Sequence, residues 1–251
     1  MKRLGLLIVG DEILAGHTQD TNTHWLAKRL KAMGVTLARV ETITDDLEDI
    51  RASVHRFLHD LDLDYVVTSG GLGPTHDDRT MEGIAAALGV ELELTEENEA
   101  WMTARVAEGH RRGYFRVAEP NEGHRKMALL PVGADAMPNQ LGTCLGAIVR
   151  RGPTTLFTLP GVPREFERMF DESVAPLLES ATPTHVEELV IYAEESRFFR
   201  LFEQAESDHG VTIGSYPQRG HIVVRATGPA AAAKAAIAAI REAVAPYLQP
   251  R

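Results

Sequence analysis

The chain has 251 residues, of which 44% are hydrophobic and 25% charged, and its formal net charge is −10. These values are typical of a globular protein and exclude a disordered chain, a collagen and a coiled coil. The longest apolar run, Leu4–Val9, is too short to cross a bilayer. It continues into Gly10-Asp11-Glu12 without a small-residue cleavage site, so we expect no signal peptide and a cytoplasmic protein.

The charge and the cysteine content narrow the classes of partner. A net charge of −10 argues against non-specific nucleic-acid binding and against an anionic membrane surface, so we expect neither partner. A phosphate-bearing substrate would need local help from backbone amides, a few cations or a metal ion. The single cysteine, Cys144, excludes a disulfide framework and a thiolate metal cluster, and we expect it to be packed.

Strands and helices alternate through the first part of the chain. We predict strands at Arg3–Val9, Val35–Ile43 and Asp64–Ser69, and helices at Thr21–Met33, after a cap at Asp45 or Asp46, and at Thr80–Leu88. This alternation is typical of βαβ units on a parallel sheet, so the predicted fold class is α/β with a mostly parallel sheet.

The later elements are predicted from weaker patterns. We expect an exposed charged helix at Thr95–Arg112, a loop at Arg116–Lys126, strands at Met127–Leu130, Gly146–Arg150 and Thr154–Leu159, and a helix from Pro163 to Leu178. Ser180–Thr184 is the predicted linker, which divides the chain into domains at 1–180 and 185–251. The second domain is predicted as a small α+β unit with strands at Val186–Tyr192, Val211–Tyr216 and His221–Thr227 and helices at Ser196–Ser207 and Ala230–Ala245.

Three unusual loops follow predicted parallel strands, at Val9–Leu14, Ser69–Asp78 and Leu159–Glu165. Ligands bind at the carboxyl ends of parallel strands, so we expect these loops to form one site. The second loop has three glycines in four positions, which allow backbone amides to form a nest for phosphate oxygens. Asp77 and Asp78 follow, and carboxylates beside phosphate-binding amides indicate a bridging divalent cation such as Mg²⁺.

Simpler structural roles compete with several of these interpretations. Asp77 or Asp78 could cap the next helix, and Asp45 or Asp46 could do the same after the second strand. The pair Asp11-Glu12 also fits a surface turn. Asn22 fits the first turn of a helix, and Pro163 fits a helix start.

Five segments together resemble the MoaB/MogA-like molybdopterin-binding domain, and more specifically the amino-terminal part of CinA-type proteins. They are Gly10–Asn22, Thr44–Ile50, Ser69–Thr80, Pro138–Gly146 and Leu159–Phe166. The resemblance implies a three-layer α/β/α fold with a nucleotide or pterin–phosphate site. It also implies that residues 185–251 correspond to the small middle domain of CinA-type proteins.

The resemblance implies metal-dependent hydrolysis of ADP-ribose, or of a related dinucleotide such as FAD, to AMP and a sugar phosphate. It implies Mg²⁺ or Co²⁺ with K⁺ as a helper, and a homodimer. By position, Asp45 and Asp78 would serve the metal and catalysis, with Glu12 or Asp11 as a further ligand or base. The phosphate-binding residues would be Ser69, Gly70, Gly71, Gly73, Pro74 and Thr75. The residues contacting the rest of the substrate would be Gly10, Asp11, Asn22, Asn139, Gly142, Thr143, Gly161, Pro163 and Glu165.

Two other functions fit the same loops. One is molybdopterin binding or adenylylation, and the other is nucleotide or pterin binding without turnover. Leu72 stands where MogA-like proteins often carry threonine, which weakens the case for the molybdopterin reaction. The glycines of Gly210–Gly214 lack the spacing of an RNA-binding GXXG loop, so we expect a structural or dimerisation role for the second domain. The chain stops at Arg251, and we expect no nicotinamide mononucleotide deamidase activity.

Overall fold

The computed structural model describes residues 2–178 and 185–249. The chain divides into two compact units, residues 1–31 with 35–180 and residues 32–34 with 181–251. The predicted linker, Ser180–Thr184, lies outside the described residues, so the domain boundary stays a prediction. Within the described part, no helix is long and apolar enough to span a membrane.

The first unit is built on a six-stranded sheet. The strands of the unit, in chain order, are β1 (Arg3–Val9), β2 (Thr36–Ile43), β3 (Tyr65–Ser69), β4 (Leu92–Glu93), β5 (Leu130–Pro131), β6 (Asp135–Met137), β7 (Gly146–Arg151) and β8 (Thr154–Leu159), and six of them form this sheet. The sheet order is β2-β1-β3-β8-β7-β6, while β4 and β5 form a separate pair. Strands β2, β1, β3 and β8 are parallel, whereas β7 runs antiparallel to its neighbours. The predicted α/β class with a mostly parallel sheet is confirmed.

Helices cover both faces of this sheet. They are α1 (Asp11–Leu14), α2 (Asn22–Met33), α3 (Leu47–His59), α4 (Thr80–Leu88), α5 (Glu96–Arg111), α6 (Glu122–Lys126) and α7 (Pro163–Met169). Leu7 and Val9 of β1 pack in one cluster with residues of α3 and α4. Their neighbours Leu6 and Ile8 face the opposite side, because side chains alternate along a strand. Trp25 of α2 packs edge-on against Phe166 and Phe170, which joins α2 to α7. The result is a three-layer α/β/α arrangement.

The second unit has the predicted order of elements. It contains β9 (His185–Ile191), α8 (Phe199–His209), β10 (Thr212–Gln218), β11 (His221–Gly228) and α9 (Ala230–Ala243). The three strands form an antiparallel sheet in the order β10-β11-β9. Ile191, Val224, Ile237 and Ile240 are buried together, so the two helices and the sheet share one core.

Several predictions made from weak patterns are wrong. The predicted loop Arg116–Lys126 contains α6, because Asn121 and His124 form a reciprocal capping box. Only Leu130 of the predicted strand Met127–Leu130 is in a strand. The amides of Ala128 and Leu129 donate to Arg125 and Lys126 in turn-like bonds, although the apolar segment is largely buried.

Other elements differ at their ends or in exposure. The α-helix that starts at Pro163 ends at Met169 and continues as a π-helical turn over Phe170–Val174 and a 3₁₀ turn over Ala175–Leu177. Helix α5 is not wholly exposed, because Met102 and Val106 are buried. The short elements α1, β4 and β6 were not predicted, since two to four residues carry too little periodicity.

Candidate functional site

The loops after the parallel strands meet at one edge of the sheet. The amide of Gly10, after β1, donates to the carbonyl of Ile43 at the end of β2. The amide of Gly70, after β3, donates to the carbonyl of Leu159 at the end of β8. Strand β7 is antiparallel to β8, so the segment preceding Gly146 reaches the same edge. The loops therefore lie together at this edge, and the ligand site that the sequence predicts there stays a prediction.

A cleft of about 530 Å³ lies between these loops and is called the main cleft below. Its size is within the range of small-molecule sites. The predicted site residues that line it are Glu12, Gly70, Gly71, Gly73, Pro74, Asp78, Gly142, Thr143, Gly161, Pro163 and Glu165. The predicted site residues that do not line it are Gly10, Asp11, Asn22, Asp45, Ser69, Thr75 and Asn139.

Gly70 and Gly71 give the glycine loop its shape. Their φ angles are +104° and +64°, which side chains other than glycine rarely adopt. A Cβ at Gly70 would lie 2.2 Å from the carbonyl oxygen of Val9, and one at Gly71 would lie 2.2 Å from Thr80 Oγ1. The Thr80 hydroxyl and amide donate to the carbonyls of Gly70 and Gly71, so the first turn of α4 fixes the loop.

The backbone donors of this loop differ from the expected set in one respect. The amide of Gly70 donates to Leu159 O, so it is not available to a phosphate. Within residues 2–178 and 185–249, the amides of Gly71, Leu72 and Gly73 have no protein acceptor. The side chain of Leu72 packs in a buried cluster with Met127 and Leu145, and this packing anchors the loop. Three successive amides are therefore the donors that an anion can use.

Asp78 is held by the loop that it closes. Its Oδ2 accepts the amide of Thr75 at 2.9 Å and also the Thr75 hydroxyl. Thr75 is predicted to bind phosphate, but its amide and its hydroxyl both donate to Asp78. The Lys126 ammonium donates to the carbonyls of Thr75 and Asp78 and fastens the loop to α6. Asp78 thus presents a fixed carboxylate at the wall of the main cleft.

Asp45 has a different setting. Its Oδ2 accepts the amide of Asp11 at 2.9 Å, whereas Asp46 is the residue that caps α3. Burial raises the pKa of Asp45, against the lowering effect of the hydrogen bond from Asp11. The nearby carboxylates of Asp11, Glu12 and Asp77 raise the pKa further. Asp45 therefore belongs to a patch of mutually repelling carboxylates next to the main cleft.

Asn22 and Ser69 hold loops together instead of lining the main cleft. The amide nitrogen of buried Asn22 donates to Ser69 Oγ at 3.0 Å and to the carbonyl of Gly161 at 2.9 Å. These bonds connect α2 to the loops after β3 and β8. Both side chains face a smaller cavity of about 70 Å³ that shares Gly70 and Gly161 with the main cleft.

Asn139 also lies outside the main cleft and holds residues that line it. Its amide nitrogen donates to Glu165, and its oxygen accepts the amides of Leu141 and Gly142. A Cβ at Gly142 would lie 2.1 Å from Glu165 Oε2, so a larger residue here would displace the Glu165 carboxylate. Cys144 is packed beside them as predicted, and burial raises the pKa of its thiol to about 12. At neutral pH the thiol is therefore protonated and is not a nucleophile.

Two cations that fasten the loops were missed in the sequence. Besides Lys126, Arg105 of α5 donates through Nε to Gly142 O at 2.7 Å and through Nη2 to Gln140 O at 2.8 Å. Both side chains bind backbone carbonyls. A carbonyl acceptor leaves no residue-type signature, so no pattern in the sequence could have identified them.

A divalent cation at this site would need ligands from a bound molecule in addition to the carboxylates. Among the described residues, no group of three or more His, Cys, Asp or Glu side chains is arranged to hold a metal ion. Asp78 and Asp45 each use Oδ2 on a backbone amide, which leaves Oδ1 for a cation. Mg²⁺ commonly binds one or two carboxylates together with substrate phosphates and water. The carboxylates present fit an ion that enters with a phosphate.

The fold and the site define an α/β protein with a ligand cleft at the carboxyl edge of its sheet. Residues 5–180 match the family described as "Probable molybdopterin binding domain". A CinA-like protein of Citrifermentans bemidjiense is 40% identical over 178 residues, which cover 70% of this chain and 40% of that protein. The chain therefore belongs to the molybdopterin-binding-domain family, in its CinA-type branch.

Two further relatives support this placement. A protein of Pyrococcus abyssi is 37% identical over 213 residues, which cover 85% of this chain and 84% of that protein. The chain is also similar to a solved structure, described as the crystal structure of the protein CinA with unknown function from Thermoplasma acidophilum. The two sequences are 32% identical, and the TM-score is 0.62. That similarity covers 70% of this chain and 98% of the Thermoplasma chain.

Proposed function

We propose that the protein hydrolyses the diphosphate bond of a nucleoside-diphosphate sugar such as ADP-ribose, with FAD as a related candidate. The observation that carries the proposal is the position of Asp78 and of the amides of Gly71, Leu72 and Gly73 within one loop at the main cleft. Such a loop offers both an anion-binding nest and a carboxylate at the same point.

Each part of the cleft has a role in this reaction. The amides of Gly71, Leu72 and Gly73 bind oxygens of the diphosphate and stabilise the charge that develops on them. Glu12, an exposed residue that lines the main cleft, orients the attacking water and accepts its proton. The water oxygen bonds to one phosphorus, the bond from that phosphorus to the bridging oxygen breaks, and AMP and ribose 5-phosphate leave.

A divalent cation fits this scheme as a group that enters with the substrate. Asp78 and Asp45 would hold it through their remaining oxygens. When bound, it would neutralise charge on the phosphates and lower the pKa of the attacking water. The preference for Mg²⁺ or Co²⁺, the helper role of K⁺ and the homodimer stay proposals.

The test is product detection with the purified full chain. ADP-ribose, FAD, NAD and ATP are each incubated with Mg²⁺ or Co²⁺, with and without EDTA, and AMP is quantified. The expected result is AMP from ADP-ribose or FAD only in the presence of free metal. Asp78→Asn should lower kcat/KM by about 100-fold or more. Asp77→Asn, at the exposed neighbouring residue, should have a much smaller effect.

A second candidate is supported by the family match. The description of the matching family names molybdopterin binding, and the same amides of Gly71, Leu72 and Gly73 could hold the phosphate of a pterin. In that case the protein would bind or adenylylate a pterin phosphate, and ADP-ribose alone would be inert. Absence of turnover with all four nucleotides would overturn the hydrolase proposal. Binding without turnover would leave a sensor role.

A further inference from the structure

A second groove of about 390 Å³ lies beside the loop that contains Gly142 and Thr143. Gly142 and Thr143 line both this groove and the main cleft, so the two spaces adjoin the same loop. The remaining walls come from the end of α5 and from Gln140 and Leu141. We call this space the Tyr114 groove, after the aromatic side chain at its rim.

The sequence builds this groove by turning the chain back at the end of α5. Gly113 has a φ of +78°, and the amide of Tyr114 donates to the carbonyl of Gly109 at 2.8 Å. A Cβ at Gly109 would lie 2.3 Å from the ring of Phe115, so glycine lets Phe115 pack onto the helix. Tyr114 then projects outward and is 76% exposed.

The segment from Gln140 to Thr143 forms another wall of the groove and is well fixed. Leu141 is 53% exposed, yet its amide is bound by Asn139. Arg105 holds the carbonyls of the residues on either side of Leu141. A rigid aromatic ring and an aliphatic side chain that remain exposed on two walls of a groove suit a flat aromatic ligand, which would cover both.

The charge of the Tyr114 groove also differs from that of the whole chain. Its walls carry the guanidinium groups of Arg105 and Arg112 against one carboxylate, that of Glu108. Hydrogen bonds from Arg112 and the charge of Arg111 lower the pKa of Glu108 and keep it ionised. In a chain of net charge −10, this small excess of cationic groups means that the groove does not repel an anionic ligand whose uncharged ring enters it.

We propose that the Tyr114 groove binds the planar heteroaromatic ring of the ligand whose phosphates lie at Gly71–Gly73. This inference rests on the proposed function for the position of the phosphates. Tyr114 stacks on the ring, and the exposed amide of Gln140 offers both a donor and an acceptor to its edge. Adenine of a nucleotide and the ring of a pterin share this chemistry.

The test is equilibrium binding by calorimetry to the full chain, without turnover. AMP and ribose 5-phosphate represent the two halves of the substrate, and neopterin monophosphate represents the pterin. Tyr114→Ala should raise the Kd of AMP about tenfold, because base stacking on an aromatic side chain is lost. The Kd of ribose 5-phosphate should stay within about twofold. Tyr114→Phe should restore most of the AMP affinity.

Phe199→Ala is the matched control, since Phe199 is an exposed aromatic residue in the second unit and should not alter any Kd. If neopterin monophosphate binds in place of AMP and loses affinity in Tyr114→Ala, the groove assignment holds and the hydrolase proposal falls. The assignment is overturned if Tyr114→Ala changes neither the Kd of AMP nor that of neopterin monophosphate. It is equally overturned if the variant weakens the binding of ribose 5-phosphate as much as that of AMP. It is also overturned if the wild type binds none of the ring-bearing probes.

Discussion

Asn139 and Glu165 join two walls of the main cleft through a hydrogen bond of 2.6 Å from Asn139 Nδ2 to Glu165 Oε2. Asn139 is 1% exposed, and its other amide atom holds the backbone of Leu141 and Gly142. One buried side chain therefore sets both the position of Glu165 and the course of the loop before β7. Buried amides with all their bonds made are rigid, and removing one partner is costly.

The first prediction is that Asn139→Asp destabilises the protein and weakens the site. The new carboxylate cannot donate to Glu165 and repels it, so the free energy of unfolding should fall by about 1–3 kcal/mol at neutral pH. Urea denaturation measures this change, and KM for the active substrate should rise. Asn98→Asp is the matched control, since Asn98 is also buried and donates to Ala128 O at 3.4 Å. It should leave KM unchanged. An unfolding midpoint of Asn139→Asp equal to that of the wild type would contradict the role assigned to Asn139.

The second prediction separates two reasons for glycine at position 71. Gly71 and Gly89 have nearly equal φ angles of +64° and +69°, but a Cβ at Gly89 meets nothing within 4 Å. Gly89→Ala should cost about 1 kcal/mol from the left-handed backbone alone. Gly71→Ala should cost about 3 kcal/mol, because its Cβ also overlaps Thr80 Oγ1.

Chemical denaturation of both variants measures the difference, and calorimetry with AMP tests the site. Gly71→Ala should also abolish AMP binding, since the overlap displaces the amides of Gly71 and Leu72. Equal losses of stability in the two variants would show that Thr80 does not fix the loop.

Much of this architecture could be predicted from the sequence because it depends on local signals. Continuous apolar runs predict the buried strands β1 and β3. Gly34 and Gly89, which directly follow α2 and α4, have the positive φ that glycine readily adopts at a helix end. The glycines of the Gly70–Gly73 loop predict an anion nest for the same local reason. Their conformational freedom is a property of the residue type.

The rest depends on contacts between distant segments. The sequence shows two candidate aspartates, Asp45 and Asp78, but it does not show that only Asp78 lines the main cleft. It also cannot show that the amide of Gly70 is already used by Leu159. These outcomes are decided by neighbouring strand ends, so they follow from the tertiary structure.

The third prediction concerns Lys126, which fastens the Asp78 loop through two carbonyls. Lys126→Met removes the ammonium and both of its hydrogen bonds, so the free energy of unfolding should fall by about 1–3 kcal/mol. Because the loop that orients Asp78 becomes loose, kcat/KM should fall as well. The control is Arg125→Met, the adjacent residue of α6, whose exposed ion pair with Glu99 should contribute less than about 1 kcal/mol. Equal effects of the two variants on kcat/KM would exclude a specific role for Lys126.

The fourth prediction follows from the raised pKa of Asp45. Between its ordinary value of 3.8 and its value in the folded chain, the folded chain holds a proton that the unfolded chain has released. The free energy of unfolding therefore falls as pH rises through this window, and the cost persists at neutral pH. Asp45→Asn removes the cost but can still accept the Asp11 amide. We expect it to be more stable than the wild type at neutral pH and equally stable below pH 3.8.

The gain should be less than about 1 kcal/mol, since Asp45 is only half-buried and solvent screens the repulsion. Asp46→Asn is the control: asparagine caps a helix as well as aspartate does, so stability should hardly change. A divalent cation relieves the same repulsion, so Mg²⁺ with AMP should raise the Tm of the wild type more than that of Asp45→Asn. Thermal unfolding at several pH values measures all three effects. If Asp45→Asn were less stable than the wild type at neutral pH, the charge of Asp45 would not destabilise the folded chain as argued here.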